Sequence, residues 1–386
     1  MFCLLCKILA LVINWVGSLG SGIGFGYMGA YGHQVMEELM IERSLHSWVV
    51  GCVTVGGLMG CLVAGKLSDI IGRKRASFVY YCINIAGWSM VTFSPTPTAL
   101  LCGRTLHGLG EGMGVVITIL YLGELVQRKY RGGALAALTI AACFGIAFAY
   151  ILGVLFPWRV SAGIVTIINT VSCLALALLP ESPYWLTLNN SLAEGLEALE
   201  KVGAAADEEE LRKTDNKAKV IDDNCEKKSS ITLTVVISTV VPPLLLFLFP
   251  ISGIYSVAFF ATHLAESMHL GHSSAVAIAV GLVRTLGASL GTGFVQKFGR
   301  RRSMIISSGM TTTCLALLFL LLLVKSMEVP LPEPGYHWVV VLLLLLAMLG
   351  SGLGMAPVPW ILAGEWPAFQ HKVSTLGWEL LYQEYK

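Results

Sequence analysis

The sequence predicts an all-α membrane protein of about eleven membrane-embedded helices arranged as two bundles. Three observations carry this expectation. Of 386 residues, 55% are hydrophobic and 13% charged, with a mean hydropathy of +0.73. That is more apolar surface than a soluble domain of this length can cover. The apolar residues also fall in runs long enough to cross a bilayer, which takes roughly 20 residues per helix. Finally, the basic residues cluster in the short segments between those runs.

Taken in order, the runs lie at 8–29, 47–68, 77–94, 99–121, 134–156, 160–179, 231–262, 273–295, 303–325 and 338–363. The first is too long for the apolar core of a signal peptide and lacks a small-residue cleavage site, so it is read as a helix. From Ala368 to Leu381 the sequence is only weakly apolar.

Lys and Arg beside a span stay in the cytoplasm. With the N-terminus inside, the short inner loops carry Lys66, Arg73, Lys74, Arg75, Arg128, Lys129, Arg131, Lys297, Arg300, Arg301 and Arg302, whereas the outer loops hold Arg43, Arg159 and Lys325. A net charge of +2 is uninformative about nucleic acid, since the basic residues sit in short clusters between apolar runs; the expected partner is the lipid bilayer, with no nucleic acid.

Most of the 10 cysteines (among them Cys52, Cys61, Cys82, Cys102, Cys143, Cys173 and Cys314) fall inside apolar runs, where a thiol acts as a small hydrophobe, and no disulfide framework follows. Cys3 and Cys6 have metal-like spacing without a partner pair, which favours packing or lipidation over zinc. The Asn189-Asn190-Ser191 sequon falls on the cytoplasmic side, where it stays unmodified. No nucleophile–base set, metal cluster or phosphate loop is present in the sequence, which argues against an enzyme, a cofactor or a metal.

The long polar stretch at about 188–230 divides the chain. It has Leu192, Leu196 and Leu199 at helical spacing, then an acidic run from Asp207 to Glu210, and reads as short surface helices with a flexible end. The expected organisation is an N-terminal six-helix bundle at 1–187, a linker at 188–230 and a C-terminal bundle of four to five helices at 231–386. Two internal echoes support duplication. The segment Gly65-Lys-Leu-Ser-Asp69-Ile-Ile-Gly72-Arg73-Lys74-Arg75 after the second run answers to Gly293-Phe-Val-Gln296-Lys-Phe-Gly299-Arg300-Arg301-Arg302 after the eighth. Glu124 precedes Arg131-Gly132 as Glu365 precedes Lys372.

The Gly65-x-x-x-Asp69-x-x-Gly72-Arg73-Lys74 element resembles the signature of the major facilitator superfamily. Further elements narrow the resemblance to its sugar porter family. These are Gly103-Arg104, Glu124 with Arg131-Gly132, Pro180-Glu181-Ser182-Pro183-Tyr184-Trp185-Leu186, and Gly352-x-Gly354-x-x-Pro357-Val358-Pro359-Trp360. With Ser47-Trp48 opening the second helix, the pattern is most similar to insect facilitated trehalose transporters. The resemblance implies a fold of two pseudo-symmetric six-helix bundles, a plasma-membrane monomer and a small-molecule solute, sugar first. Members of the family continue through two further helices, so the second bundle is expected to be incomplete and the sequence truncated at its C-terminal end.

The resemblance also implies a cytoplasmic latch, closed when the carrier faces outward. Its members are Gly65, Asp69, Gly72, Arg73, Lys74, Glu124, Arg131 and Glu181, with Gly299, Arg300, Arg301 and Glu365 in the second half. Gly65 and Gly72 are expected to permit tight turning and close approach. Exposed ion pairs contribute about 0–1 kcal/mol each, so several together give a bias that solute binding overcomes. The plainer reading is that these charges only orient the spans. The second copy is weaker, with Gln296 for the family's acid and Lys372-Val373 for its Arg-Gly.

Pro357 and Pro359 remove backbone donors and break the last run, which is tolerable at membrane depth only beside protein or a water-filled cavity. Pro250 to Gly253 offers a comparable hinge in the seventh run. Trp360 supplies a flat apolar face with one N–H, suited to a sugar ring. The family implies cavity amides, because an amide satisfies both the donor and the acceptor of a hydroxyl. Here Tyr150, Phe249, Tyr255 and Arg284 stand in those places. Arg284 is read either as selecting an anionic or strongly hydrogen-bonding solute or as paired with a carbonyl or with Glu111. Charges inside spans cost roughly 2.5–3.5 kcal/mol each on insertion scales. Arg104, His107 and Glu111 share one face of the fourth helix, either as a polar pathway or proton relay or as an internally satisfied ladder near the outer surface. The acid that proton-coupled relatives place after Gly-Tyr in the first helix is Met28 here.

Three functions therefore stay open: alternating-access transport of a sugar or sugar-like polar solute by facilitated diffusion, carriage of an organic anion or other small metabolite, and a non-transporting sensor or inactive shortened form.

Overall fold

A computed structural model describes residues 2–189, 191–202, 208–209, 211–212, 248, 252–259, 261–267, 273–327 and 333–365. Six helices come first: α1 (Phe2–Glu38), α2 (Arg43–Ile71), α3 (Arg73–Thr92), α4 (Pro97–Leu125), α5 (Arg128–Leu155) and α6 (Trp158–Leu176). The short α7 (Pro183–Asn189) and α8 (Leu192–Val202) follow. After them come α9 (Ile254–Phe259), α10 (Ala261–Ser267), α11 (Ser273–Phe298), α12 (Arg300–Ser326), α13 (Glu333–Leu353) and α14 (Pro357–Glu365).

Among the described residues, 8 stretches are long and apolar enough to cross a membrane, with α13 and α14 counted as one. The run at 77–94, expected to be another, is the helix α3 but carries Ser77, Tyr80, Tyr81, Asn84 and Ser89. Its polar side chains are tolerable because α3 packs between α4 and α6, so Ser77, Asn84 and both tyrosines are buried in protein rather than in lipid. Most of the run at 231–262, including Pro250 of its expected hinge, lies outside the described residues. α2 begins at Arg43, a turn before Ser47-Trp48, so that pair lies inside the helix rather than at its opening.

Helix ends are set by local chemistry. Thr96 caps α4, its hydroxyl accepting from the Ala99 N–H at 3.3 Å, with Pro97 in the first turn. The joints between α2 and α3 and between α11 and α12 are single glycines in the same backbone conformation, Gly72 at φ 95°, ψ 160° and Gly299 at φ 81°, ψ 161°. That region is essentially closed to other residues. The sequence echo is thus also a backbone echo.

Small residues bring helices together where no hydrophobic force separates protein from lipid tails. A Cβ on Gly112 of α4 would lie 2.0 Å from the Gly57 carbonyl oxygen of α2, so this crossing admits no side chain. Gly65, expected to serve close approach, has nothing from another element within 4 Å of a Cβ added there among the described residues.

The expected break in the last run falls between α13 and α14. Ser307 of α12 repairs it: its hydroxyl donates to the Gly350 carbonyl at 2.7 Å and accepts from the Met355 N–H at 2.9 Å. α1 packs on α5 and α6, α2 and α3 on α4, and α13 on α11 and α12. The two groups meet where α5 lies along α11 and α14, and where α9 and α10 lie on α1. Thr262 of α10 donates to the Gly29 carbonyl of α1 at that second contact.

Candidate functional site

Between the two groups of helices lies a cavity of about 910 Å³ with its open mouth included. Ser21 and Phe25 of α1, Asn84 of α3, and Glu111 and Thr118 of α4 line it from one side. Tyr255 of α9, Arg284 of α11 and Trp360 of α14 line it from the other, and Cys143 stands on α5 between them. Arg284 is 2% exposed, with its guanidinium carbon 4.8 Å from the centre of the Tyr255 ring. Its Nε and Nη1 have no hydrogen-bond partner among the described residues.

Glu111 is 6% exposed and faces the same space. Its Oε1 accepts from Asn84 Nδ2 at 3.3 Å and lies 3.9 Å from His107 Nδ1, while Oε2 has no partner among the described residues. Asn84 turns its Oδ1 to His107 Nδ1 at 3.1 Å. Arg104 does not close a ladder with Glu111. Both its terminal nitrogens donate to the Gly24 carbonyl at 3.2 Å, and its guanidinium lies 5.6 Å from the Tyr27 ring centre. One face of α4 therefore divides: Arg104 braces α1, and Glu111 reaches the cavity.

The other predicted cavity residues separate too. Trp360 and Tyr255 line the space, but Tyr150 is packed with Ile254, Ala261, Val280 and Met348 at the junction of the helix groups. Pro357 and Pro359 are buried and set the start of α14, which aims Trp360. Phe249 lies outside the described residues.

At the opposite end of α2 and α4 is a cluster of charges. Arg73 donates from Nε and Nη2 to Glu124 at 3.0–3.2 Å and from Nη1 to Asp69 at 2.9 Å. The Ser182 hydroxyl donates to the same Glu124 carboxylate. Glu181 accepts from the Lys74 N–H at 2.8 Å and the Ser182 N–H at 2.9 Å, so it caps the start of α3. Burial raises its carboxyl above the ordinary value in spite of those donors. Trp185 of α7 donates to the Asp69 carbonyl at 2.8 Å, and Lys74 Nζ to the Ala177 carbonyl at 2.9 Å. Arg131 is buried at 6% exposure with its Nε unpartnered among the described residues. The second copy differs: Gln296, Arg300 and Arg301 are exposed, and the Glu365 side chain lies outside the described residues.

Residues 8–377 match the family model described as sugar (and other) transporter. The protein belongs to this family. The sugar transporter ERD6-like 6 of Arabidopsis thaliana is 26% identical over 364 residues, covering 91% of this chain and 73% of that protein. The facilitated trehalose transporter Tret1 of Anopheles gambiae is 26% identical over 364 residues, covering 90% of this chain and 45% of that protein. The proton:xylose symporter XylE of the major facilitator superfamily, solved with 6-bromo-6-deoxy-D-glucose, superposes with a TM-score of 0.76 at 16% identity. The match covers 98% of this chain and 86% of that one, and at this identity it shows the fold. This member of the sugar transporter family is therefore an integral, multi-pass membrane protein of the major facilitator fold.

For a sugar transporter family member, the partners of the predicted residues are as telling as the residues themselves. Asn84 and Ser182, not singled out in the sequence, join Glu111 and Glu124 to their surroundings. A signal existed for Asn84, an amide seven residues past Ser77 in the least apolar of the helices α1 to α6. For Ser182 there was only its place inside the Pro-Glu-Ser-Pro element.

Proposed function

We propose that this protein moves a sugar or sugar-like polar solute across the bilayer by alternating access and facilitated diffusion. The observation that carries the reading is the cavity at the meeting of the two helix groups. Its walls combine the flat rings of Tyr255 and Trp360 with the polar groups of Ser21, Asn84, Glu111, Thr118 and Arg284. Aromatic faces take the apolar faces of a pyranose and the polar groups take its hydroxyls. Names such as sugar transporter and facilitated trehalose transporter among its relatives point the same way.

In this proposal the bundles 1–187 and 231–386 rock about the cavity, with 188–230 as the cytoplasmic linker. The Arg73, Asp69, Glu124, Glu181 and Arg131 cluster holds the inner ends of α2 to α5 together in one state and yields in the other. The N-terminus is cytoplasmic and the protein works as a monomer in the plasma membrane, with no catalysis and no cofactor. The Lys and Arg distribution supports the orientation.

Purified protein reconstituted in liposomes is expected to take up radiolabelled trehalose or glucose saturably, and Arg131→Ala to abolish that uptake. Absence of flux for sugars and for a panel of organic anions, from monodisperse folded protein, would overturn the proposal in favour of a non-transporting sensor.

A further inference from the structure

Resting on the sugar-carrier reading, we infer that the cavity is built for a sugar acid: a pyranose whose carboxylate meets Arg284 while its hydroxyls meet Glu111 and Asn84. The two buried charged side chains that line the space each retain polar atoms without a described partner, Nε and Nη1 of Arg284 and Oε2 of Glu111. A guanidinium carries donors and no acceptor, and a carboxylate carries acceptors and no donor. Arg284 therefore calls for an acceptor, best an anionic one, because hydrogen bonds between ions are about twice as strong as those between neutral groups. Glu111 calls for donors, which hydroxyls supply. An unmodified sugar satisfies Glu111 but brings no anion to the buried cation of Arg284, whose neighbours among the described residues include the Tyr255 ring and hydroxyl and the Cys143 thiol.

The placement separates the two demands. Arg284 comes from α11 and Glu111 from α4, on different walls of one cavity. A hexuronate carries its carboxylate at one edge of the ring and its hydroxyls at the others, so the acid reaches Arg284 while the hydroxyls reach Glu111 and the Asn84 beside it. Trp360 and Tyr255 supply the flat faces against which the ring packs. Charge favours a carboxylate over a phosphate ester: in a space that already holds the Glu111 carboxylate, a hexuronate brings one further negative charge against Arg284 and a phosphate ester brings nearly two, with the larger repulsion.

The test is uptake by proteoliposomes of radiolabelled D-glucuronate, D-glucose and D-glucose 6-phosphate at one pH. Glucuronate is expected to show a kcat/KM about tenfold or more above that of glucose, from one added charge-assisted hydrogen bond. Arg284→Gln should collapse or invert that ratio, while Arg284→Lys keeps a preference for the acid. The wild-type ratio decides the matter even if a variant fails to fold. Glucose uptake with glucuronate no better than glucose overturns the sugar-acid assignment and leaves the sugar carrier standing. Preference for the phosphate ester also overturns it. Uptake of none of the three, together with none of trehalose, overturns the carrier reading itself.

Discussion

Removing the Glu124 carboxylate while leaving Arg73 in place should be among the most damaging single changes in the first helix group. Glu124 and Arg73 side chains are 4% and 5% exposed, and Glu124 accepts both Nε and Nη2 of Arg73. In Glu124→Ala the guanidinium stays buried, with Asp69 at 2.9 Å, itself 26% exposed, as its remaining counter-charge. Breaking one side of a buried pair costs about 3–5 kcal/mol, and the retained Asp69 places this case near the lower figure. The Ser182 hydroxyl loses its acceptor in the same step. Replacing both partners, as in Arg73→Met with Glu124→Leu, removes the stranded charge, and such swaps are often close to neutral. Thermal unfolding in detergent of the wild type, Arg73→Met, Glu124→Leu and the double variant forms a cycle, read as a coupling energy of about 2–3 kcal/mol. The double variant should unfold above the level set by adding the two single effects. Strict additivity would refute the reasoning, since it would mean that the pair contributes nothing as a pair.

Other changes separate structural from solute-binding roles. Gly112→Ala should destabilise the protein by about 1–3 kcal/mol, because its Cβ would meet the Gly57 carbonyl oxygen at 2.0 Å; Gly65→Ala, with open space around it, should be neutral or stabilising by up to about 1 kcal/mol. Equal melting temperatures for the two variants would contradict the α2–α4 geometry. The raised Glu181 carboxyl binds its proton more tightly in the folded state than in the unfolded one. Its contribution to stability is therefore present at acid pH and lost as pH rises from its ordinary value of 4.5 through the folded value. Glu181→Gln should flatten that part of the melting-temperature profile, and an unchanged slope would count against burial as the cause. Trp360→Ala should lower sugar kcat/KM by about tenfold while leaving the melting temperature within a few degrees, the ring being only half-buried beside the cavity. A large fall in stability with unchanged uptake per folded molecule would instead make Trp360 a packing residue.

Much of the helical frame was legible in the sequence because hydrocarbon imposes a length and a composition on every span. α3 blurred the pattern for the same reason in reverse: sandwiched between α4 and α6, it meets little lipid and can carry Asn84 and Ser77. The charge cluster was legible as a set of residues, since Asp69, Arg73, Glu124 and Glu181 sit in recognisable elements. The pairing within it was not, because helical periodicity does not say that Arg73 turns to Glu124 on a helix 51 positions later. On α4, the spacing of Arg104, His107 and Glu111 placed them on one face. It could not foretell that a close glycine-lined approach of α1 would offer Arg104 the Gly24 carbonyl and so free Glu111 for the cavity. Tyr150 was misassigned to the cavity because equivalence along the sequence does not fix which way a bulkier side chain turns; it fills the junction of the helix groups instead.

The paired glycine joints bear on how the two halves can diverge. At Gly72 the Cβ of any other residue would strike the Glu181 carboxylate at 2.6 Å, whereas at Gly299 it would meet nothing within 4 Å among the described residues. Both positions are held to glycine by backbone angle, but only the first is also held by its neighbours. The second joint is thus free to carry Gln296 where the first carries Asp69. It is not free to lose its bend. The bend at this joint is set by the main chain, and the side chains around it are what differs between the halves.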